Sequence, residues 1–390
     1  VVLYEFGKAE IKKDEFDNVR LIFEHTVRIK IFNNKAFDLA TIQIPLQKSF
    51  GGKDEEKLVE AKAISVNPDR TVGRLNPKDI YRENINERFN IAKFTIPNVK
   101  EGAVIDYTYK TSSPFFYNFN RWEFQGEIPK MFSEYQTSVP GNYKYHIKLT
   151  GDQELFKNDS KIIKDCFYFR GVGSADCVLS TYAMKDIPAF KEEDYMTSKY
   201  NYLCAIDYEL EVFKGFDGTV QRYTKTWENV DDEIRHKEEI GRQARKESFF
   251  KDKIDESIVT IENPLERAKK LYYTLQQQFF WNGKNTIFND VDIKRAYESK
   301  SGSVAELNLL LLNALNSLGF DAKFMLVPTR EQGFATKLYP VISDFNYLVV
   351  KIEIEGNQYL LDISDKNLPF GMLPFKALNS YGRVMGFKNG

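Results

Sequence analysis

SGSVAELNLLLLNALNSLGFDAKFML, residues 301–326, decides how the second half of this chain folds. Ser303-Val304-Ala305-Glu306 has the pattern of a capping box. The Ser303 hydroxyl can accept from the backbone three residues on, and Glu306 can reach back to the cap. Val304 is then the first helical residue. Leu307, Leu310, Leu311, Ala314, Leu315 and Leu318 form one apolar stripe, and Leu309 and Leu312 add apolar surface on other sides. A helix so widely apolar is buried in its domain. Gly319 suits the left-handed position that ends such a helix, and FDAKFMLVP (320–328) follows as a strand.

Downstream, FNYLVVKIEIEGNQYLLDIS (345–364) reads as a hairpin that turns at Glu355-Gly356-Asn357. Leu348, Val350, Ile352 and Ile354 face one way, and Tyr347, Val349, Lys351 and Glu353 the other. Upstream, NPLERAKKLYYTLQQQFFW (263–281) reads as a helix capped by Asn263 with Pro264 in its first position. WENVDDEIRHKEEIGRQARKESFF (227–250) is charged, lacks proline, and reads as another helix with a solvated face. KNTIFNDVDIKRAYESKSG (284–302) holds Asp290 and Asp292 but lacks the glycine and distal glutamate of a calcium loop, so it reads as a loop into a short helix.

Residues 1 to about 220 read mostly as strands. KFTIPNVKEGAVIDYTYK (93–110) reads as a hairpin whose second arm sets Ala103, Ile105, Tyr107 and Tyr109 on one face. EYQTSVPGNYKYHIKLTG (134–151) and KIIKDCFYFRGVG (161–173) add strand–turn units. Many short strands with turn signals between them point to a β-sandwich. SSPFFYNFNRWEF (112–124) packs six aromatics into a short span; it reads as sandwich core, and only if exposed as a stacking surface for sugar or peptide.

Composition excludes several classes. Lys plus Arg is 55 against 56 for Asp plus Glu, so no basic excess points to nucleic acid. No apolar run reaches the length of a membrane span. Cys166, Cys177 and Cys204 are too few and wrongly spaced for a zinc ribbon; they read as buried thiols, with one disulfide as the alternative. His25, His146 and His236 follow no metal-ligand spacing, and no metal or cofactor is expected. The chain starts at Val1; removal of an export signal or trimming would each explain that.

The helix at 304, the strand FNYLVV and the segment YLLDIS resemble the transglutaminase-like, papain-related superfamily. FTIPNVKEGAVIDYTY and WEFQGEIPKMFSEYQTSVP resemble the β-domain of unknown function that precedes such a module in bacterial envelope proteins. The resemblance covers nearly the whole chain. It implies an α+β protein: an antiparallel β-sandwich over 1–222, then a helical entry and a transglutaminase-like domain over 223–390. In that family a thiol at a helix N-terminus is activated by the helix dipole, a His pairs with the thiolate, and an Asp orients the His. Carried onto this chain, the Cys falls on Val304, the His on Tyr347 and the Asp on Asp362. Valine is no nucleophile, and a phenol with a reference pKa of about 10 is a poor base at neutral pH. A slip of one residue offers Ser303 or Ala305 for the nucleophile and Asn346 or Leu348 for the base, which restores no triad.

The resemblance therefore implies a non-catalytic protein of the cell envelope, exported or periplasmic. It would bind peptide or cell-wall-derived polymer in the former cleft, with Trp281, Ser303 and Asn346 as cleft-lining candidates. Two alternatives stand beside it: a divergent peptidase or acyl transferase that works without cysteine, and a glycan-binding β-sandwich. Oligomeric state is left open, as is whether a further β-domain follows Gly390.

Overall fold

The structure, a computed structural model, describes residues 1–385 apart from 50, 51, 87, 118, 170, 172, 224, 225, 286, 338 and 339. It is mixed α+β with several largely antiparallel sheets, a β-sandwich and an α+β part. Its contacts divide it into two units, Val1–Glu193 with Tyr202–Tyr223, and Asp194–Asn201 with Thr224–Gly390. No helix among the described residues is long and apolar enough to cross a membrane.

In the first unit the strands are β1 (Val2–Lys13), β2 (Val19–Lys30), β3 (Thr41–Gln47), β4 (Lys57–Val66), β5 (Val72–Arg74), β6 (Tyr81–Asn84), β7 (Phe89–Thr95) and β8 (Val104–Ser113). They continue as β9 (Trp122–Glu123), β10 (Lys130–Pro140), β11 (Tyr143–Thr150), β12 (Lys157–Phe169), β13 (Gly173–Ile187), β14 (Ala205–Lys214) and β15 (Val220–Arg222). One large sheet runs β12-β13-β10-β1-β2-β8-β4-β5. Only its β1–β10 pair is parallel among the described pairings; the others are antiparallel.

Two small sheets cover one face of the large one. Leu21 and Phe23 of β2 join an apolar cluster with Tyr143, Ile206, Tyr208 and Leu210 of the β9/β11/β14/β15 sheet. Val27 and Ile29 join a second cluster with Ile42, Ile44, Ala92 and Phe94 of the β3-β7-β6 sheet. Odd positions of one strand share a face, so the small sheets lie side by side on it. Between the two apolar stretches of β2 comes His25. It is opposite Tyr109 on β8, as Glu5 of β1 is opposite Ser133 on β10. A polar row thus crosses the centre of an otherwise apolar face. Glu5 binds Lys130 Nζ at 2.6 Å and Ser133 Oγ at 2.8 Å, and its other oxygen is 3.3 Å from His25 Nε2. Gly7 on β1 is required beside this row, because a Cβ there would meet the Trp122 ring at 2.2 Å.

Two sequence expectations change here, and a third, the aromatic core, holds. Residues 93–110 do not form a hairpin: β7 pairs with β3 and β6, whereas β8 pairs with β2 and β4, so the chain passes from one sheet to another. Cys166 and Cys177 form a disulfide across the β12–β13 hairpin, leaving Cys204 as the free, buried thiol. The 112–124 aromatics are mostly core, with Phe115, Phe119, Trp122 and Phe124 buried and only Tyr117 exposed.

In the second unit, α1 (Trp227–His236) is followed by short 3-10 turns rather than the longer helix expected over 227–250. Gly241 sits against the carbonyls of Ile234 and Arg235, where a Cβ would come within 2.2 Å of both. That close approach folds the chain back so that Ile240, Ala244 and Phe250 reach the core. Then come α2 (Glu256–Val259), α3 (Pro264–Gln278), β16 (Phe280–Trp281), α4 (Ile293–Ser299), β17 (Ser301–Gly302) and α5 (Val304–Ser317). The last strands are β18 (Lys323–Val327), β19 (Tyr347–Ile354), β20 (Asn357–Leu361) and β21 (Arg383–Met385), paired as β20-β19-β18-β21. Leu348, Val350, Ile352 and Ile354 point from β19 into the core shared with α5.

The buried Glu5 gives a pH-dependent prediction. Burial would raise its carboxyl pKa, but the Lys130 charge, His25 and their hydrogen bonds outweigh burial and hold it at about 2, below its ordinary 4.5. A depressed pKa contributes stability above the unfolded value that is lost as pH falls through the folded one. Glu5→Gln should cost about 3–5 kcal/mol at pH 7, because Lys130 is left buried without its counter-charge. Urea unfolding should show this gap narrowing as pH drops from 4.5 toward 2.

Candidate functional site

The site is built on the start of α5. The Ser303 hydroxyl accepts the Glu306 amide at 3.3 Å, and Glu306 accepts the Ser303 amide at 2.8 Å. Glu306 also accepts from the Asp292 amide and from Arg295, so the cap is tied to the start of α4. Ser303 is buried, and its oxygen is committed to the cap.

Val304 is fully buried in a small apolar cluster apart from the main core. Its companions are Val327 of β18, Tyr347 and Val349 of β19, and Ala377, with Leu373 packed alongside. Segment 373–377 therefore lies over the helix start. Tyr347 heads β19, paired with Val327. Its phenol donates to Asp362 Oδ2 at 2.7 Å and lies 3.1 Å from Ser364 Oγ. Asp362 Oδ1 accepts from Asn308 Nδ2 at 3.1 Å and from the Ser364 amide at 2.8 Å. Asn308 also donates to the Leu348 carbonyl and accepts the Ile363 amide. Helix, strand and the turn after β20 thus meet on one buried carboxylate.

Trp281 is 41% exposed, with its indole N–H on the Lys284 carbonyl. Lys376 Nζ lies 4.6 Å from the Trp281 ring and 4.8 Å from the Tyr347 ring, so an ammonium sits between the two aromatic faces. Asn346 is engaged elsewhere: its amide bonds Thr329 through both ends, pinning the loop after β18. The structure thus brings together Val304, Tyr347 and Asp362, and links Trp281 to them through Lys376. Ser303 belongs to the cap and Asn346 to the neighbouring loop.

Sequence reasoning missed Asn308, Ser364, Leu373, Lys376 and Ala377. Asn308 carried a signal, as a polar residue inside a widely apolar helix, which in a buried position needs a partner. Lys376 carried none.

The chemistry of these side chains is limited. Val304 has no group that can attack a carbonyl. Burial, with the Asp362 charge next, pushes the Tyr347 phenol far above its ordinary value, so it cannot take a proton near neutral pH. What remains is a rigid hydrogen-bonded floor under an exposed indole and an ammonium. Among the described residues no group of three His, Cys, Asp or Glu side chains is placed to hold a metal ion.

No family model matches this chain, and no curated protein matches it. Solved structures do. The crystal structure of a protein described as a "putative protease" from Parabacteroides distasonis ATCC 8503 aligns over 96% of this chain and 72% of that one, with a TM-score of 0.60 and 12% identity. One described as a "putative cysteine protease" from Cytophaga hutchinsonii aligns over 94% and 86%, with a TM-score of 0.25 and 8% identity. The first likeness shows a shared fold and nothing of the chemistry; the second is too distant to carry an argument.

The buried carboxylate carries a prediction of its own. Asp362→Ala removes the acceptor of three donors and should cost about 3–5 kcal/mol. Asp362→Asn keeps one acceptor oxygen and should cost clearly less. Urea unfolding of both variants checks the order.

Proposed function

We propose that this chain is a non-catalytic protein with a transglutaminase-like fold that binds peptide or cell-wall-derived polymer where its enzymatic relatives carry a catalytic cleft. One observation carries the reading: the helix start that would hold a nucleophile is Val304, sealed under Leu373 and Ala377. The segment that seals it also offers a surface. Phe280, Trp281, Met372 and Phe375 are exposed large apolar side chains in and beside the contact that Lys376 makes with Trp281. Exposed aromatic residues next to a cation suit an extended chain with apolar side chains and carboxylates. We place the protein in the bacterial cell envelope; the Cys166–Cys177 disulfide supports this, since such bonds persist in oxidising compartments.

The test pairs activity with binding on the full chain. Wild type should neither hydrolyse casein nor incorporate an amine into it. Val304→Cys/Tyr347→His should stay silent too, because segment 373–377 still covers position 304. Carboxymethylated casein or muramidase-released peptidoglycan fragments should bind, and Trp281→Ala and Phe375→Ala should each weaken binding at least tenfold, about 1.4 kcal/mol. Wild-type turnover that disappears in Asp362→Ala would show an enzyme instead. Equal binding by wild type and both surface variants would reject the site.

A further inference from the structure

The first unit contains a cavity of about 460 Å³ where its two small sheets part over the polar row of the large one. That volume is within the range of small-ligand sites, about 300–1,000 Å³. Its walls combine aromatic rings (Phe23, Phe89, Tyr109, Trp122) with charged groups, and the charges are unevenly satisfied. Lys130 is held by Glu5 at 2.6 Å and by the Glu123 carbonyl at 2.8 Å. Arg121 is held by Asp207 at 2.7 Å. His25 lies between Glu5 and the Tyr109 hydroxyl. Each cation in the wall already has its carboxylate.

Glu56 is the exception. It is 7% exposed, lines the cavity, and accepts the Gln47 amide at 3.3 Å. Among the described residues no Lys, Arg or His stands within ion-pair distance of it. Burial pushes its pKa up; Gln47 and Thr111 pull the other way and do not compensate. A buried carboxylate without a cation is costly unless something brings one.

We propose that this cavity binds a small ligand carrying a protonated amine on an apolar body, with the ammonium on Glu56 and the apolar part against the aromatic wall. An anion would meet cations that already have their carboxylates, Lys130 with Glu5 and Arg121 with Asp207. A neutral molecule would dry out Glu56 and leave its charge unanswered. A cation answers that charge and gains from the ring faces as well.

Three probes of one size and three charges test this: benzylamine, benzyl alcohol and benzoate. The full chain, labelled with 5-fluorotryptophan, reports on the cavity through Trp122, one of 3 tryptophans. Benzylamine should shift the Trp122 fluorine signal saturably, and the other two should bind at least tenfold more weakly. Glu56→Gln should weaken benzylamine at least tenfold without lowering the thermal midpoint, since it removes an unpaired buried charge and keeps the acceptor for Gln47. Phe89→Ala, at a ring that is 41% exposed, should weaken benzylamine and leave the fold intact. Equal binding of the three probes, no Trp122 shift with benzylamine, or unchanged affinity in Glu56→Gln would each overturn the proposal. So would a lowered midpoint in Glu56→Gln, which would make Glu56 a structural group.

Discussion

A helix buried from its first residue must have its N-terminal N–H groups answered by protein, because no water reaches them. In α5 the Ser303 hydroxyl answers the Glu306 amide and the Lys284 carbonyl the Val304 amide, and Glu306 ties the cap to Asp292 and Arg295. All residues from Val304 to Leu315 are buried as a result. The sheet β20-β19-β18-β21, the short turns after α1, and α3 and α4 all pack around this one cylinder. Two asparagines inside it fix their positions. Asn308 bonds Leu348, Asp362 and Ile363, and Asn313 bonds Gln243 and Lys246. A polar side chain in so apolar a helix is tolerated because every group on it is satisfied.

The same packing surrounds the helix start with groups unlike those of an acyl-transfer site. A reactive site needs a nucleophile open to substrate beside a base with an accessible pKa. Here the helix terminus meets a valine, a phenol fastened to a carboxylate, and an overlying segment. Those features make the region stiff and well packed. The exposed groups lie one layer out, at Trp281, Lys376 and the apolar residues near them. The first unit works in the opposite way. Its large sheet keeps a row of polar side chains in the middle of an apolar face, and the covering sheets part there instead of closing.

Much of the second unit is legible in the sequence, because its signals are local. The capping box, the apolar stripe, Gly319, and Asn263 with Pro264 each act over a few residues, and the elements they announce are present. The failures are non-local. Residues 93–110 carry two strands and turn formers, but alternation says nothing about which sheet each strand joins. Residues 227–250 have helix-forming composition, yet the contact of Gly241 with the end of α1 stops the helix. Cys166 and Cys177 lie on opposite arms of a hairpin, and their pairing depends on its register.

By itself the sequence determined which segments are helix and which strand over most of the chain, where α5 begins, and that positions 304 and 347 carry no cysteine or histidine. Only the tertiary structure decided that Leu373 and Ala377 pack into the cluster that buries Val304, that Asp362 gathers Tyr347, Asn308 and Ser364, and that Glu56 lines a cavity with no Lys, Arg or His of the described residues within ion-pair distance of it. The division has a physical cause. Caps and periodicity depend on atoms a turn or two apart, which the order of residues fixes. A cover, a shared carboxylate and an unpaired charge depend on which distant segments are brought into register, and packing of the whole fold sets that.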